Sequence, residues 1–174
     1  MNWTELLKSE LEGAYKSTLG LVEMAEDDQL NWKPATGGNW MTMSQMLMHL
    51  TNACGMCFQG FLTGDWGLPE GVKLEDLKPE EMLPPAEKMP AIESVAKAKE
   101  AIIKDKQLAF DMLAITTEED LTNKFLSAPW DPRKLALGYW LLQMVNHLNQ
   151  HKCQLFYYLK LQGKPVHTGH LYGM

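Results

Sequence analysis

Four stretches of the chain carry apolar residues at intervals of three and four, the spacing that gathers them on one face of an α-helix. In the first, Trp3, Leu7, Leu11, Ala14, Thr18, Leu21 and Ala25 form the stripe, and Glu5, Lys8, Glu12, Lys16 and Glu23 fill the other face. Asn2 stands three residues before Glu5, a capping-box pair, so the pattern predicts a helix of about 23 residues from there. In the second, Thr42 and Gln45 make another capping box. Met46, His49 or Leu50, Ala53, Cys57 and Phe61 then share a face in a helix reaching about Leu62. The third runs over about 91–114, with Val95, Ala98, Ile102, Ala109 and Met112 or Leu113 inward, and Lys97, Lys99, Glu100, Lys104 and Asp105 expected in solvent. The fourth opens on Asp131-Pro132, an N-cap residue followed by proline at the first helical position, and stops at Gly163 with Pro165 beyond. It would span about 30 residues, or about 45 Å.

The segments between these stretches lack such periodicity. Pro34 and the Gly37-Gly38 pair mark a loop bracketed by Trp32 and Trp40, two rings suited to plugging the end of a core. Residues 63–90 hold Gly64, Gly67, Pro69, Gly71, Pro79, Pro84, Pro85 and Pro90. A connection of that length fits a crossover between helices running the same way, not a hairpin. Thr116 to Leu121 reads as a short capped turn, and Phe125 to Trp130 as extended. The whole predicts an all-α chain, a single four-helix-bundle domain over residues 1–174 with a long crossover between helices two and three.

Composition narrows the class. Apolar content of 45% and charged content of 22% are those of a globular protein, and no run approaches the ~18–20 apolar residues of a membrane span. The start, Met1-Asn2-Trp3-Thr4-Glu5, lacks a signal peptide's basic and apolar regions, and three unframed cysteines suit a reducing compartment, so a cytoplasmic location is expected. A net charge of −6 with scattered cations argues against nucleic-acid binding.

The candidate chemistry lies on two helices. His147 and His151, four residues apart on the fourth helix, project the same way about one turn apart, so their ring nitrogens can meet on one ion. His49 sits on the inward side of the second helix, and facing helices about 8–10 Å apart let it reach the same ion. Three imidazoles leave a coordination position open. There an ion such as zinc lowers the pKa of water or of a substrate thiol. The rival reading is three core histidines satisfied by hydrogen bonds.

Sharper alternatives fail on identity. A zinc-protease helix needs glutamate after its first histidine, where Leu148 stands, and a di-iron bundle needs glutamates at the positions of Met46 and Met144. Cys54 and Cys57 could join His147 and His151 in a structural zinc site. On a continuous helix, however, Cys54 lies about 140° round from His49, which favours a packing role. Cys153 is expected to pack likewise. His167 and His170 lie in a tail that could supply a fourth ligand but reads better as solvated. Trp140, Met144 and Tyr158 share the face of the histidine pair and suit the core.

The stretches Trp40 to Leu50 and His147 to Leu155, closing with Tyr158 to Val166, resemble the DinB-like superfamily of four-helix-bundle metalloenzymes across essentially the whole chain. The resemblance implies an up-down-down-up bundle, with His49, His147 and His151 as metal ligands. It also implies a divalent ion, commonly zinc or nickel, and often a homodimer. Characterised relatives include transferases and isomerases that use low-molecular-weight thiols such as bacillithiol or mycothiol. Many members carry His-His-Arg-Gly-Gln where this chain has Gln150-His151-Lys152-Cys153-Gln154, so Lys152 keeps a charge but loses the guanidinium fork. The expected function is a thiol-dependent S-transferase acting on a small-molecule electrophile. The alternatives are a metal-dependent hydrolase and a non-catalytic metal- or small-molecule-binding bundle.

Overall fold

The computed structural model describes residues 2–72, 74–78 and 84–174. Lys73 and residues 79–83, part of the predicted crossover, lie outside the described residues, as does Met1. The described residues are mostly helical, with a small hairpin: α1 Trp3–Val22, α2 Met43–Leu50, α3 Gly55–Thr63, α4 Val95–Ala114, α5 Glu118–Asn123, β1 Phe125–Ala128, β2 Asp131–Ala136, α6 Leu137–Leu161 and α7 Thr168–Leu171.

Both capping boxes expected from the sequence form. Asn2 Oδ1 accepts the Glu5 N–H at the start of α1, and Thr42 Oγ1 accepts that of Gln45 at the start of α2. The α6 terminus is also as expected: Gly163 takes φ 80°, and the Lys164 N–H reaches back to the Leu159 carbonyl at 2.9 Å. The left-handed turn favours glycine there.

Three expectations are corrected. The second predicted helix is two helices, separated by a break at residues 51–54. The fourth begins at Leu137, because Asp131-Pro132 opens β2 rather than a helix. Asp131 Oδ1 accepts the Arg133 N–H at 3.0 Å and its carboxylate grips the Arg133 guanidinium. The strand then pairs antiparallel with β1, Phe125 opposite Ala136 and Leu126 opposite Leu135. Helix and hairpin compete for the aspartate's side chain, and the pairing of two apolar strand positions decides for the hairpin. Finally, Asp105 is buried, not solvated. Burial pushes its carboxyl above the usual range, opposed by donors from Tyr15 and from the Gly55, Met56 and Cys54 backbone.

The long helices pack in a ring: α1 on α6 and α4, and the α2–α3 pair on the same two helices from the far side. The Trp3 ring lies over Gly138, Lys152 donates to Ser17, Lys99 pairs with Glu23, and Lys106 pairs with Glu12. The core inside the ring holds Leu7, Leu11, Tyr15, Met46, Leu50, Phe58, Ile102, Leu113, Val145, Leu148 and Leu155. Ser44 donates to the Ile92 carbonyl, and the Gln45 amide donates to the carbonyls of Glu87 and Met89. The end of the crossover is thereby pinned to the first turn of α2. At that end of the molecule, the rings of Trp32 and Trp40 stand edge-on to Tyr158, at 5.4 and 6.3 Å between centroids.

Candidate metal centre

α2 presents His49 in its last turn, and α6 presents His147 and His151 from its middle. Where the two helices pack, the three imidazoles meet. The Nε2 of His49 lies 3.3 Å from that of His147 and 2.9 Å from that of His151, and the last two are 2.9 Å apart. All three side chains are half-buried. Among the described residues, no aspartate, glutamate, cysteine or fourth histidine joins the cluster.

The outer nitrogens decide where the protons are. His147 Nδ1 stands 2.9 Å from the Ala53 carbonyl, and His151 Nδ1 stands 2.7 Å from Gln154 Oε1. Both partners are oxygens that accept, so each Nδ1 carries the hydrogen and donates it. The Nε2 atoms of these two rings then expose lone pairs to each other at 2.9 Å. Two facing acceptors at hydrogen-bond distance repel unless a cation or a proton lies between them.

Protonation is disfavoured. Burial, then the charges of His151 and His147, push His49 down from 6.5 to about 3. Burial and then His147 push His151 down to about 4, against the Gln154 hydrogen bond, which raises it. Near neutral pH these two imidazoles are therefore unprotonated donors. Imidazole nitrogens about 2.0–2.1 Å from one ion, at angles between about 90° and 109°, stand about 2.9–3.4 Å apart. The separations of 2.9 to 3.3 Å fall within that window, so the donor set fits a divalent ion.

The rejected alternatives have structural counterparts. Leu148, where a protease would carry its glutamate, is fully buried in the core. Met46 and Met144, at the di-iron glutamate positions, are buried as well. The expected core residues Trp140 and Tyr158 are buried with them, and the Tyr158 hydroxyl donates to the Met41 carbonyl.

The cysteines stand apart from the histidines. Cys54 and Cys57 are not deep inside a helix, as expected, but at the start of α3. Cys54 is fully buried beside Tyr15 and Asp105, and burial raises its thiol. Burial pushes Cys57 up to about 12. Such thiols are poor nucleophiles and poor ligands near neutral pH. Cys153 is exposed, so its expected packing role is corrected.

The tail histidines cap each other's short helix. The His167 N–H donates to His170 Nδ1, and the Gly169 N–H donates to His167 Nδ1. Lys152 points away from the three imidazoles. Its buried ammonium donates to Ser17 Oγ at 3.2 Å, Asn149 Oδ1 at 2.8 Å and the Leu171 carbonyl at 2.9 Å, tying the tail to α1. Burial lowers its pKa.

Two contributors were not assigned from the sequence. Gln154 carries a readable signal, since a glutamine three residues after a helical histidine can reach its ring. The Ala53 carbonyl carries none, because every residue has one.

The family profile described as the DinB superfamily matches residues 10–155. The fold is similar to that of a DinB-like protein from Bacillus cereus ATCC 10987, known from its crystal structure, with a TM-score of 0.65 at 18% identity over 91% of this chain and 92% of that one. No functionally curated protein matches the chain.

Proposed function

Since this chain belongs to the DinB superfamily, we propose that it is a divalent-metal-dependent thiol S-transferase whose metal ligands are His49, His147 and His151. The observation that carries the reading is the convergence of three Nε2 atoms, two of them left bare by Nδ1–H bonds to oxygen. A divalent ion such as zinc or nickel held by these residues would supply Lewis acidity, which lowers the pKa of a thiol and so raises the thiolate fraction at neutral pH. The protein's part is to hold His49 and His151 neutral by burial and to fix the rotation of His147 and His151 through Ala53 and Gln154. Leu148 and Met144 offer no general base beside the cluster, which favours thiolate attack over hydrolysis. In the transfer, the thiol sulfur forms a bond to an electrophilic carbon of a small molecule, that carbon's bond to its leaving group breaks, and the thiol proton passes to solvent.

The same reading takes residues 1–174 as one domain with helices ordered up-down-down-up. Four sets of contacts support it. Trp3–Gly138 and Ser17–Lys152 run α1 along α6, whereas Glu12–Lys106 and Glu23–Lys99 run it against α4. Tyr158–Met41 and His147–Ala53 run the α2–α3 pair against α6, and Ser44–Ile92 and Gly55–Asp105 run it along α4. Among the described residues, no helix is long and apolar enough to cross a membrane. The net charge of −6 counts against nucleic-acid binding; the cytoplasmic location, the small-molecule substrate and the homodimer are part of the same proposal and follow from the family resemblance.

The test is elemental analysis of untagged protein, then conjugation assays pairing low-molecular-weight thiols with electrophiles, with and without chelator. We expect a stoichiometric divalent ion, lost in each of His49→Ala, His147→Ala and His151→Ala, and conjugation that the chelator abolishes. Protein that is metal-free as purified and refuses added metal overturns the metal reading. Turnover without added thiol reassigns the site to hydrolysis, and metal binding without turnover reassigns it to a non-catalytic bundle.

A further inference from the structure

The break between α2 and α3 has a structural cause outside both helices. α2 ends at Leu50 and α3 begins at Gly55. The N-cap residue of α3, Cys54, makes no side-chain capping bond. The first N–H groups of a helix nevertheless need acceptors when buried. Asp105, on α4, supplies them. Its Oδ2 accepts the Gly55 N–H at 2.9 Å, and its Oδ1 accepts the Met56 N–H at 2.8 Å. A carboxylate there is also favoured by the helix dipole. The Tyr15 hydroxyl donates to Oδ2 at 2.6 Å. Residue 55 must be glycine for α4 to come this close, since a Cβ would lie 2.0 Å from the Asp105 carbonyl oxygen and 2.9 Å from its Oδ1.

What the break leaves behind is the Ala53 carbonyl. In a continuous helix it would point along the axis to the N–H of Cys57. Here it is buried and accepts the Nδ1–H of His147 at 2.9 Å. A line of contacts thus joins Asp105 to the cluster: carboxylate to the Gly55 and Met56 N–H groups, these to the held break, the break to the Ala53 carbonyl, the carbonyl to His147.

We propose that Asp105 is a positioning residue of the metal centre: by capping α3 it holds the second helix broken, so that the Ala53 carbonyl fixes the ring and tautomer of His147. This rests on the reading of His147 as a metal ligand, but its first readout does not need the metal. Carbonyl and carboxylate partners of ligand histidines fix orientation and basicity, and Asp105 acts one bond further out.

The experiment compares Asp105→Asn with Tyr15→Phe. The asparagine amide turns an N–H₂ towards one of the donors that the carboxylate served, so it weakens the cap. Tyr15→Phe removes a donor from the same carboxylate and leaves both backbone caps in place. The His147 tautomer is read in metal-free protein from its side-chain nitrogen chemical shifts, and metal affinity by competition with a chromophoric chelator. Asp105→Asn is expected to lose the Nδ1–H signature of His147 and to bind metal about tenfold more weakly. Tyr15→Phe is expected to keep both near wild type while losing stability. A folded Asp105→Asn with an unchanged tautomer overturns the proposal, as does a loss of affinity that tracks stability equally in both variants. Should Asp105→Asn not fold, Gly55→Ala presses on the same junction through its added Cβ and is read the same way. Wild-type protein that binds no metal retires the metal reading alone, because the tautomer comparison still decides the role of Asp105.

Discussion

His49 and His151 are neutral donors because water is largely kept from them, and that has a measurable consequence in metal-free protein. The unfolded chain takes up a proton on each imidazole near pH 6.5, whereas the folded chain does so only near about 3 for His49 and about 4 for His151. Protons therefore bind the unfolded state preferentially between these values. The contribution of the pair to stability is intact above about pH 6.5 and falls as the pH drops towards 4. Urea midpoints of chelator-treated protein at pH 7.5, 6 and 5 should show the decline, and His49→Gln should flatten it. At the same scale, Gln154 is exposed yet holds the His151 Nδ1–H at 2.7 Å. Gln154→Ala should leave the fold intact and weaken metal binding about tenfold, as is usual for outer partners of ligand histidines. Unchanged affinity in a chelator competition would show that the ring needs no such support.

Among the elements, α6 carries the most constraint, since it supplies two of the three imidazoles and packs on α1, α2 and α3. Its first turn meets α1 through Gly138, where an added Cβ would fall 2.6 Å from the Trp3 ring and 3.0 Å from the Leu121 carbonyl oxygen. Gly138→Ala should therefore destabilise the protein by about 1–3 kcal/mol through overpacking, although alanine is the better helix former. Thermal unfolding reads this directly, and a neutral or stabilising result would mean that Trp3 moves aside freely. The hairpin before α6 is held partly by the Trp140 indole, which donates to the Leu126 carbonyl at 2.8 Å. The start of the helix that carries His147 and His151 is thus fixed by long-range contacts rather than by a side-chain cap of its own, which Ala136 does not provide.

For the whole molecule, the three-histidine cluster joins two sides of the helix ring, with His49 from the α2 side and the other two histidines from α6. An ion held across that seam binds only the folded chain and so stabilises it. At free metal about 100 times the dissociation constant, the gain is about 2.7 kcal/mol. The melting temperature should rise with added zinc or nickel, fall with chelator, and respond to neither in His147→Ala. A wild-type melting curve indifferent to both would place the imidazoles outside any metal linkage.

The sequence by itself determined the helical stripes, both capping boxes, the glycine stop at Gly163 and the three histidines, because each is written in local spacing and side-chain identity. His147 and His151 share a face whatever the rest of the chain does, and the inward phase of His49 follows from the stripe behind Thr42. Tertiary structure decided the rest. Asp105 sits among lysines and reads as a surface residue, yet the hydrogen bonds that bury it come from Tyr15, Gly55 and Met56, far away along the chain. The break in the second helix follows from that contact and from no local breaker strong enough to announce it. Asp131-Pro132 starts a strand because Phe125 and Leu126 are there to pair with Ala136 and Leu135. The proton positions on His147 and His151 depend on the oxygens their outer nitrogens meet, and one of these is a backbone carbonyl that only a broken helix turns towards the site.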